Sequence, residues 1–335
     1  MTFPISFAAP RPLPWVIMKI RLIACLCLCL CLLLAPTMLK ASDALSKLTR
    51  PWRDNPIWYD GKAEIAIYDA TCGIYRRQRH YQARFITNKE TASPKTFTKS
   101  PAHLGREVFK FHLREDIPTE NYTYHYSTMV YVGTDDLKSL KLDMGSQEDC
   151  GASFKQWINH AGKLWWRQHS YFPNEGFRSG EMRPPTNMAF MNVLPLILRG
   201  FDFQAPREIH LNVINNQTTT QLSDTTLTGA TVSWIGKEAL DLPIGSILAH
   251  HLRVTVGGGS SNEAGVASAE CQDLWFAADP KLLHIMVQME GPNRQSYRLR
   301  SVTRKAYWAE SRRQSTPDPA ASDNLPDDPR YGDPP

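Results

Sequence analysis

Histidine, cysteine and acidic residues in the second half of the chain are the first candidates for chemistry. His250 and His251 are adjacent in a predicted strand, so their rings point to opposite faces and cannot share a metal ion. Cys271, Asp273 and His284 lie on neighbouring predicted strands, but their spacing lacks the paired ligands of a closed Cys/His site. We therefore predict no metal site and no cofactor, and we give these residues structural roles.

A nucleophile is the second candidate, in the segment Gln-Glu-Asp-Cys-Gly-Ala-Ser that runs from Gln147 to Ser153. Papain-like proteases place a glutamine six residues before the nucleophile, and Ser153 occupies the nucleophile's position in that spacing. A serine hydroxyl needs a base, and His284 is the downstream candidate. However, Asn159 and Gly162 interrupt the helix that should follow. The pattern is therefore disfavoured, and we predict no catalytic residue; an envelope hydrolase with a site assembled from separated strands is the alternative.

The glycine-rich segment 257–261 is a candidate phosphate-binding loop. A phosphate-binding loop needs a lysine after its glycines at the start of a helix, and here Asn262 and Glu263 follow instead. The segment therefore predicts a flexible connection between strands. Acidic residues are scattered along the chain, and no spacing selects a pair for glycoside hydrolysis.

The start of the chain predicts export. Lys19 and Arg21 precede an apolar run over 22–34, and small residues follow at Ala41 and Ala44. This is the layout of a secretory signal peptide, here over residues 1–41, with Met18 as a possible true start. The run is shorter than the roughly 20 residues of a spanning helix, so we expect no transmembrane span in the mature chain. The predicted location is periplasmic or extracellular.

Cysteines fall into two groups on either side of this boundary. Those in the apolar run serve as small hydrophobic residues, although Cys25 follows Leu-Ile-Ala and is a less favoured candidate for lipid anchoring. The other three are Cys72, Cys150 and Cys271, which permit one disulfide in an export compartment. Cys150 with Cys271 is one guess, and the sequence leaves the pairing open.

Charge and composition exclude one class of partner. The net charge is +5, but four basic residues and no acidic residue lie in 1–41, so the rest of the chain carries +1. Without a basic excess we predict no nucleic-acid partner. Residues 317–335 contain six prolines and five aspartates. Such a segment buries too little apolar surface to offset its chain entropy, so we predict a disordered tail over 311–335.

Alternation of apolar and polar residues dominates the remainder. It is clearest where Phe109, Phe111 and Leu113 alternate with polar neighbours. Short turns between such segments predict antiparallel pairing. We expect strands near 63–67, 81–86, 109–114, 122–132, 163–171, 207–214, 230–235, 247–256, 269–277, 283–290 and 296–302.

One segment breaks the alternation. Thr186 and Asn187 can cap a helix that continues through Met191 and Leu194 until Pro195 kinks or ends it. This helix is apolar nearly all round and should be buried. The predicted fold is mainly β, a large, curved, open barrel-like antiparallel sheet wrapped around one or two buried helices. The organisation we expect is an N-terminal half over 42–172, a connecting segment over 173–187, and a helix plus C-terminal half over 188–310.

Three segments resemble an uncharacterised family of exported bacterial proteins: residues 58–68 (WYDGKAEIAIY), 116–122 (DIPTENY) and 146–151 (SQEDCG). Asp149 stands where that family has tryptophan, and Tyr307-Trp308 is similar to its closing motif. The resemblance implies a secreted β-rich domain without known catalytic residues. A long sheet around a helix is similar in outline to lipoprotein-carrier proteins, which hold acyl chains against an apolar concave face.

These observations predict an exported, non-enzymatic protein that binds an apolar or lipid ligand or an envelope protein. Its aromatic side chains and its methionine-rich helix are the features that suit such a ligand. The candidate lining residues are Phe109, Phe111, Tyr124, Tyr126, Trp165, Trp166, Met188 and Met191.

Overall fold

The alternating segments form fifteen strands in the computed structural model, which describes residues 44–261 and 267–309, without the side chains of 258–269. The predicted signal peptide over 1–41 with Cys25, and the predicted disordered tail over 311–335, lie outside the described residues. The strands are β1 Ala63–Ile74, β2 Arg77–Ala92, β3 Arg106–Pro118, β4 Thr123–Gly133, β5 Ser139–Glu148, β6 Gly151–His160, β7 Lys163–Ser170, β8 Gly176–Met182, β9 Met188–Phe190, β10 Ile209–Ile214, β11 Leu227–Leu242, β12 Gly245–Ser261, β13 Ala267–Ala277, β14 Met286–Glu290 and β15 Ser296–Lys305.

All fifteen strands belong to one sheet, in the order β8-β7-β6-β5-β4-β3-β2-β1-β15-β14-β13-β12-β11-β10-β9. The first meander, β1 to β8, runs outward to one edge, and the second meander, β10 to β15, returns to the middle. There β15 pairs with β1, Ala63 opposite Lys305, so the first and last strands join the two meanders. Only β9 is parallel to its neighbour, β10. The predicted fold class, a curved and open antiparallel sheet, is confirmed.

The predicted helix begins later than its cap suggested. Met188–Phe190 form the short strand β9, and 3-10 turns at Met191–Val193 and Leu198–Gly200 flank the short α-helix Leu194–Ile197 (α1). Pro195 lies in the first turn of α1, where a missing N–H removes no hydrogen bond, so it opens this helix and does not end one. The predicted burial of the segment holds, since every residue of α1 is buried.

The segments expected to connect strands are themselves paired. Residues 173–187 contain β8, an edge strand that pairs with β7 from Ser170 opposite Gly176 to Leu164 opposite Met182. The residues of β8 are mostly exposed and do not alternate between apolar and polar types. A strand at the edge of an open sheet can be held by its backbone hydrogen bonds alone, so its side chains need no buried face. Likewise β12 continues through the glycine-rich segment to Ser261, so the flexible connection expected from Gly257 onward is wrong for these residues.

The inner face of the sheet is filled by three chain segments. Residues before β1 place Trp52 against Phe109, with ring centroids 5.1 Å apart. The α1 region adds Arg199, whose guanidinium forms two hydrogen bonds of 3.1 and 2.6 Å with the buried carboxylate of Glu64. The loop after β10 covers β6, where it accepts hydrogen bonds from Lys155. Buried apolar side chains of both meanders and these segments form one hydrophobic cluster.

Candidate functional site

A half-open cavity of about 210 Å³ lies where the two meanders meet the α1 region. Strands β2 and β3 contribute one wall, β12 to β15 another, and the segments around Asn192 and Asn216 cover it. Asn192 donates to Asn216 at 2.6 Å and to Thr218 at 3.0 Å, which ties the two covering segments together. The apolar part of the lining includes Phe85, Leu113, Met191, Pro195, Val256 and Met289.

Glu115 is the polar centre of this lining. Its residue is only 4% exposed, and its Oε1 accepts hydrogen bonds from the hydroxyls of Tyr81 and Tyr297, each 2.6 Å long. Gln295 Nε2 in turn donates to the Tyr297 hydroxyl at 2.8 Å. The carboxyl is thus held in one position by two neutral donors from different strands.

The sheet register brings these three side chains together. Tyr297 on β15 is opposite Ala70 on β1, and Ala70 is opposite Tyr81 on β2. Glu115 on β3 is opposite Ala83, two residues after Tyr81 and therefore on the same face. The short alanine side chains at 70 and 83 leave room for both phenol rings to reach the carboxyl.

Burial governs the ionisation of this cluster. Burial raises the pKa of Glu115, and the hydrogen bonds from Tyr297 and Tyr81 oppose that shift only in part. Burial also raises the pKa of Tyr81 and of Tyr297 above the ordinary tyrosine value. Cys72, which interacts with Tyr81, has its pKa raised to about 11 by burial. Burial therefore disfavours the charged form of each of these groups, and Glu115 is the carboxyl among them.

The predicted lining residues lie at different places. Met191 lines the cavity. Phe111 packs against the lining residue Phe85, with the two ring centroids 5.6 Å apart. Phe109 packs between Trp52 and Trp58, and Met188 is buried in β9.

The other predicted lining residues belong to the first meander. Tyr124 and Tyr126 stack on each other with centroids 6.0 Å apart, and Trp166 packs on Trp157. Trp165 is 48% exposed, and the Lys163 ammonium lies 5.1 Å from its ring. Of all the predicted residues, only Met191 is among those that line this cavity.

The protease-like pattern does not assemble. Gln147 is exposed, whereas Ser153 is buried and its hydroxyl donates to the Thr220 carbonyl. Gln147 pairs with Ala152, the neighbour of Ser153, so the glutamine and the serine lie on opposite faces of the sheet. His284 lies 2.9 Å from the Ala277 carbonyl in the other meander.

The candidate metal ligands are also dispersed. His251 Nε2 lies 2.7 Å from Asp273, while His250 stacks on Phe203 with centroids 4.1 Å apart. Within residues 44–261 and 267–309, no three His, Cys, Asp or Glu side chains are grouped so as to hold a metal ion. The cysteines at 72, 150 and 271 are free thiols, so the guess of a Cys150–Cys271 disulfide is wrong.

The sequence contained a signal for Glu115 that the motif search missed. Phe109, Phe111, Leu113 and Ile117 mark the buried phase of β3, and all four are buried. Glu115 falls in this phase, so strand periodicity alone places a carboxyl among apolar residues. A buried acid of this kind indicates a functional site more often than an exposed one does.

Comparison of the chain with protein-family models, with curated proteins and with solved structures found no match. Among the described residues, no helix is long and apolar enough to cross a membrane. The case for a function therefore depends on the cavity and its residues.

Proposed function

We propose that this protein is an exported, non-enzymatic binding protein whose cavity takes a compact ligand with an apolar body and one polar group. Export is the expectation from the signal-peptide layout of residues 1–41. The observation that carries the proposal is the half-open cavity, which combines an apolar wall with the buried carboxyl of Glu115. Ligand sites typically join a mostly apolar lining to a few fixed polar groups.

Cavity size limits the ligand. About 210 Å³ is less than the roughly 300–1,000 Å³ of common small-molecule pockets. A short apolar body fits inside, whereas a long acyl chain would have to extend through the open side. As in lipoprotein carriers, we therefore expect an apolar ligand, but one smaller than an acyl chain.

Native mass spectrometry of the protein purified from the cell envelope tests this proposal. We expect a bound small molecule that is released on denaturation. Val256→Phe fills the cavity from β12, so this variant should release none, while Leu104→Phe, at an exposed position away from the cavity, should behave like the wild type. Melting temperatures check that both variants fold. A wild-type protein that carries no molecule and binds none of the short-chain probes described below would contradict the proposal.

A further inference from the structure

We propose that the polar group of the ligand is a cation, an alkylammonium group that pairs with the carboxylate of Glu115. This inference rests on the proposed function and adds the chemical class of the ligand to it. Three observations support it: the geometry of the cavity wall, the charge of its lining, and two acceptor atoms that receive no hydrogen bond from the described residues.

The charge of the lining selects against anions. Among the described residues that line the cavity there are two acids, Glu115 and Glu270, and none is lysine, arginine or histidine. Arg79, on the same face of β2 as Tyr81, is engaged by Glu120 at 2.6 Å. A carboxylate or phosphate ligand would therefore enter a site with acidic groups and without a basic partner, and an unpaired buried charge is strongly unfavourable.

Two acceptor atoms at the cavity receive no hydrogen bond from the residues that the structure describes. Both tyrosines donate to Oε1 of Glu115, and Oε2 receives no hydrogen bond from the described residues. Oε1 of Gln272, which also lines the cavity, is buried and has no hydrogen-bond partner among them. An ammonium group carries several N–H donors and accepts nothing, so it matches these acceptors.

The titratable groups that neighbouring strands place against Glu115 are uncharged at neutral pH: Tyr81 from β2, Tyr297 from β15, Tyr126 from β4 and Cys72 from β1. Glu270 from β13 is the other acid of the cavity lining. Burial raises the pKa of the Glu115 carboxyl, which favours its protonated form until a cation arrives.

When Glu115 is protonated, binding of an ammonium group favours its ionised form. The carboxyl O–H bond breaks, its proton leaves to solvent, and the resulting carboxylate pairs with the ammonium N–H groups. The two tyrosine hydroxyls keep their hydrogen bonds to Oε1, which strengthen when the acceptor becomes an anion. Cation binding therefore releases up to one proton, and its affinity rises with pH.

Three probes of equal chain length separate this inference from general apolar binding. Hexylammonium, 1-hexanol and hexanoate are titrated into the full chain by calorimetry at pH 7.5, in phosphate and in HEPES, so that released protons are counted. We expect hexylammonium to bind at least tenfold more tightly than 1-hexanol, hexanoate to bind most weakly, and protons to be released only with hexylammonium.

Glu115→Gln is the decisive variant because its amide oxygen keeps an acceptor for both tyrosines. We expect it to bind hexylammonium at least tenfold more weakly than the wild type, without proton release, and to bind 1-hexanol unchanged. Glu148→Gln is the matched control: burial raises the pKa of Glu148 to about 7, but this acid does not line the cavity, so hexylammonium affinity should not change. Tyr297→Phe removes one donor to the carboxylate and should give an intermediate loss.

The outcomes distinguish the two proposals. Binding of all three probes with equal affinity, tighter binding of hexanoate, or a preference for hexylammonium that survives in Glu115→Gln would overturn the cation and leave the cavity proposal intact. No binding of any probe, together with no co-purified molecule, would overturn both.

Discussion

Lys155 and Glu115 are both buried on the inner face of the first meander, but they face different surroundings. Glu115 shares a cross-strand row with Tyr126, Ser146 and Ser153, and Lys155 is two residues after Ser153. The loop after β10 packs directly on Lys155, whereas at Glu115 the same loop covers a half-open cavity. One face of one sheet therefore contains a filled region and an unfilled one.

Hydrogen bonding explains the difference between these regions. The Lys155 ammonium donates to the carbonyls of Gln217 and Thr219 at 2.9 and 2.8 Å, and to the Ser223 hydroxyl at 2.5 Å, so its three donors are all used. Among the described residues, the donors to Glu115, Tyr81 and Tyr297, both reach the same oxygen. A buried polar group whose hydrogen bonds are all made within the protein stabilises the fold. A buried polar group with an unpaired acceptor atom beside a cavity can bind a ligand.

The largest expected effect is on the filled side. Lys155→Met leaves two buried carbonyls without donors, and we expect a loss of about 3 kcal/mol in the free energy of unfolding, measured with urea. Burial lowers the pKa of Lys155 to about 7, below the ordinary lysine value of 10.5. The contribution of Lys155 to the free energy of unfolding therefore increases as pH rises between these two pKa values. The loss caused by Lys155→Met should be greater at pH 9 than at pH 7.

Lys163→Met is the control for this variant. Lys163 is an exposed residue whose partner is the surface acid Glu181, so its replacement should change stability by less than about 1 kcal/mol. Equal losses in the two variants would show that the loop contacts of Lys155 do not stabilise the fold.

A second pair of variants compares packing in the two regions. Val130→Leu adds a methylene group where the side chain is fully buried, and we expect a loss of about 1–3 kcal/mol from overpacking. Val256→Leu adds the same volume at the cavity wall and should change the free energy of unfolding by less than about 1 kcal/mol. Similar losses in both would mean that the cavity closes in solution.

A smaller effect is expected from a single hydrogen bond on the filled side. Ser153→Ala removes the donor to the Thr220 carbonyl, which should cost about 1 kcal/mol in chemical denaturation. The same assay with Ser179→Ala, on the exposed edge strand β8, should show no change. A neutral Ser153→Ala would indicate that water replaces the hydroxyl.

The smallest effect concerns the pH dependence at the cavity. Burial raises the pKa of Glu115 above the ordinary glutamate value of 4.5. The contribution of this group to the free energy of unfolding is therefore fully present at pH 4 and falls as pH rises through the raised pKa. Glu115→Gln cannot ionise, so it should match the wild type at pH 4 and exceed it at pH 7.5 in thermal unfolding. A constant difference across this range would show that the carboxyl does not titrate abnormally.

Much of the fold followed from periodicity, but particular elements did not. Residues 81–86 and 109–114 lie within β2 and β3 as predicted, because their alternation matches the two faces of a half-buried strand. The polar edge strand β8 and the short strand β9 carry no such alternation. Strand β8 pairs on one side only, with β7, and β9 pairs with β10, which lies further along the chain. The local sequence does not reveal either pairing.

By itself the sequence determined which residues of each strand share a face, and so it placed Glu115 in the buried phase of β3, since side-chain direction follows directly from position along a strand. Only the tertiary structure decided what that carboxyl meets. The pairing of β15 with β1 brings Tyr297 to Glu115 across 182 residues, and the loop after β10 fills the space at Lys155 but not at the cavity. Contacts between residues so far apart in the sequence depend on the tertiary fold of the whole chain, and no local sequence pattern encodes them.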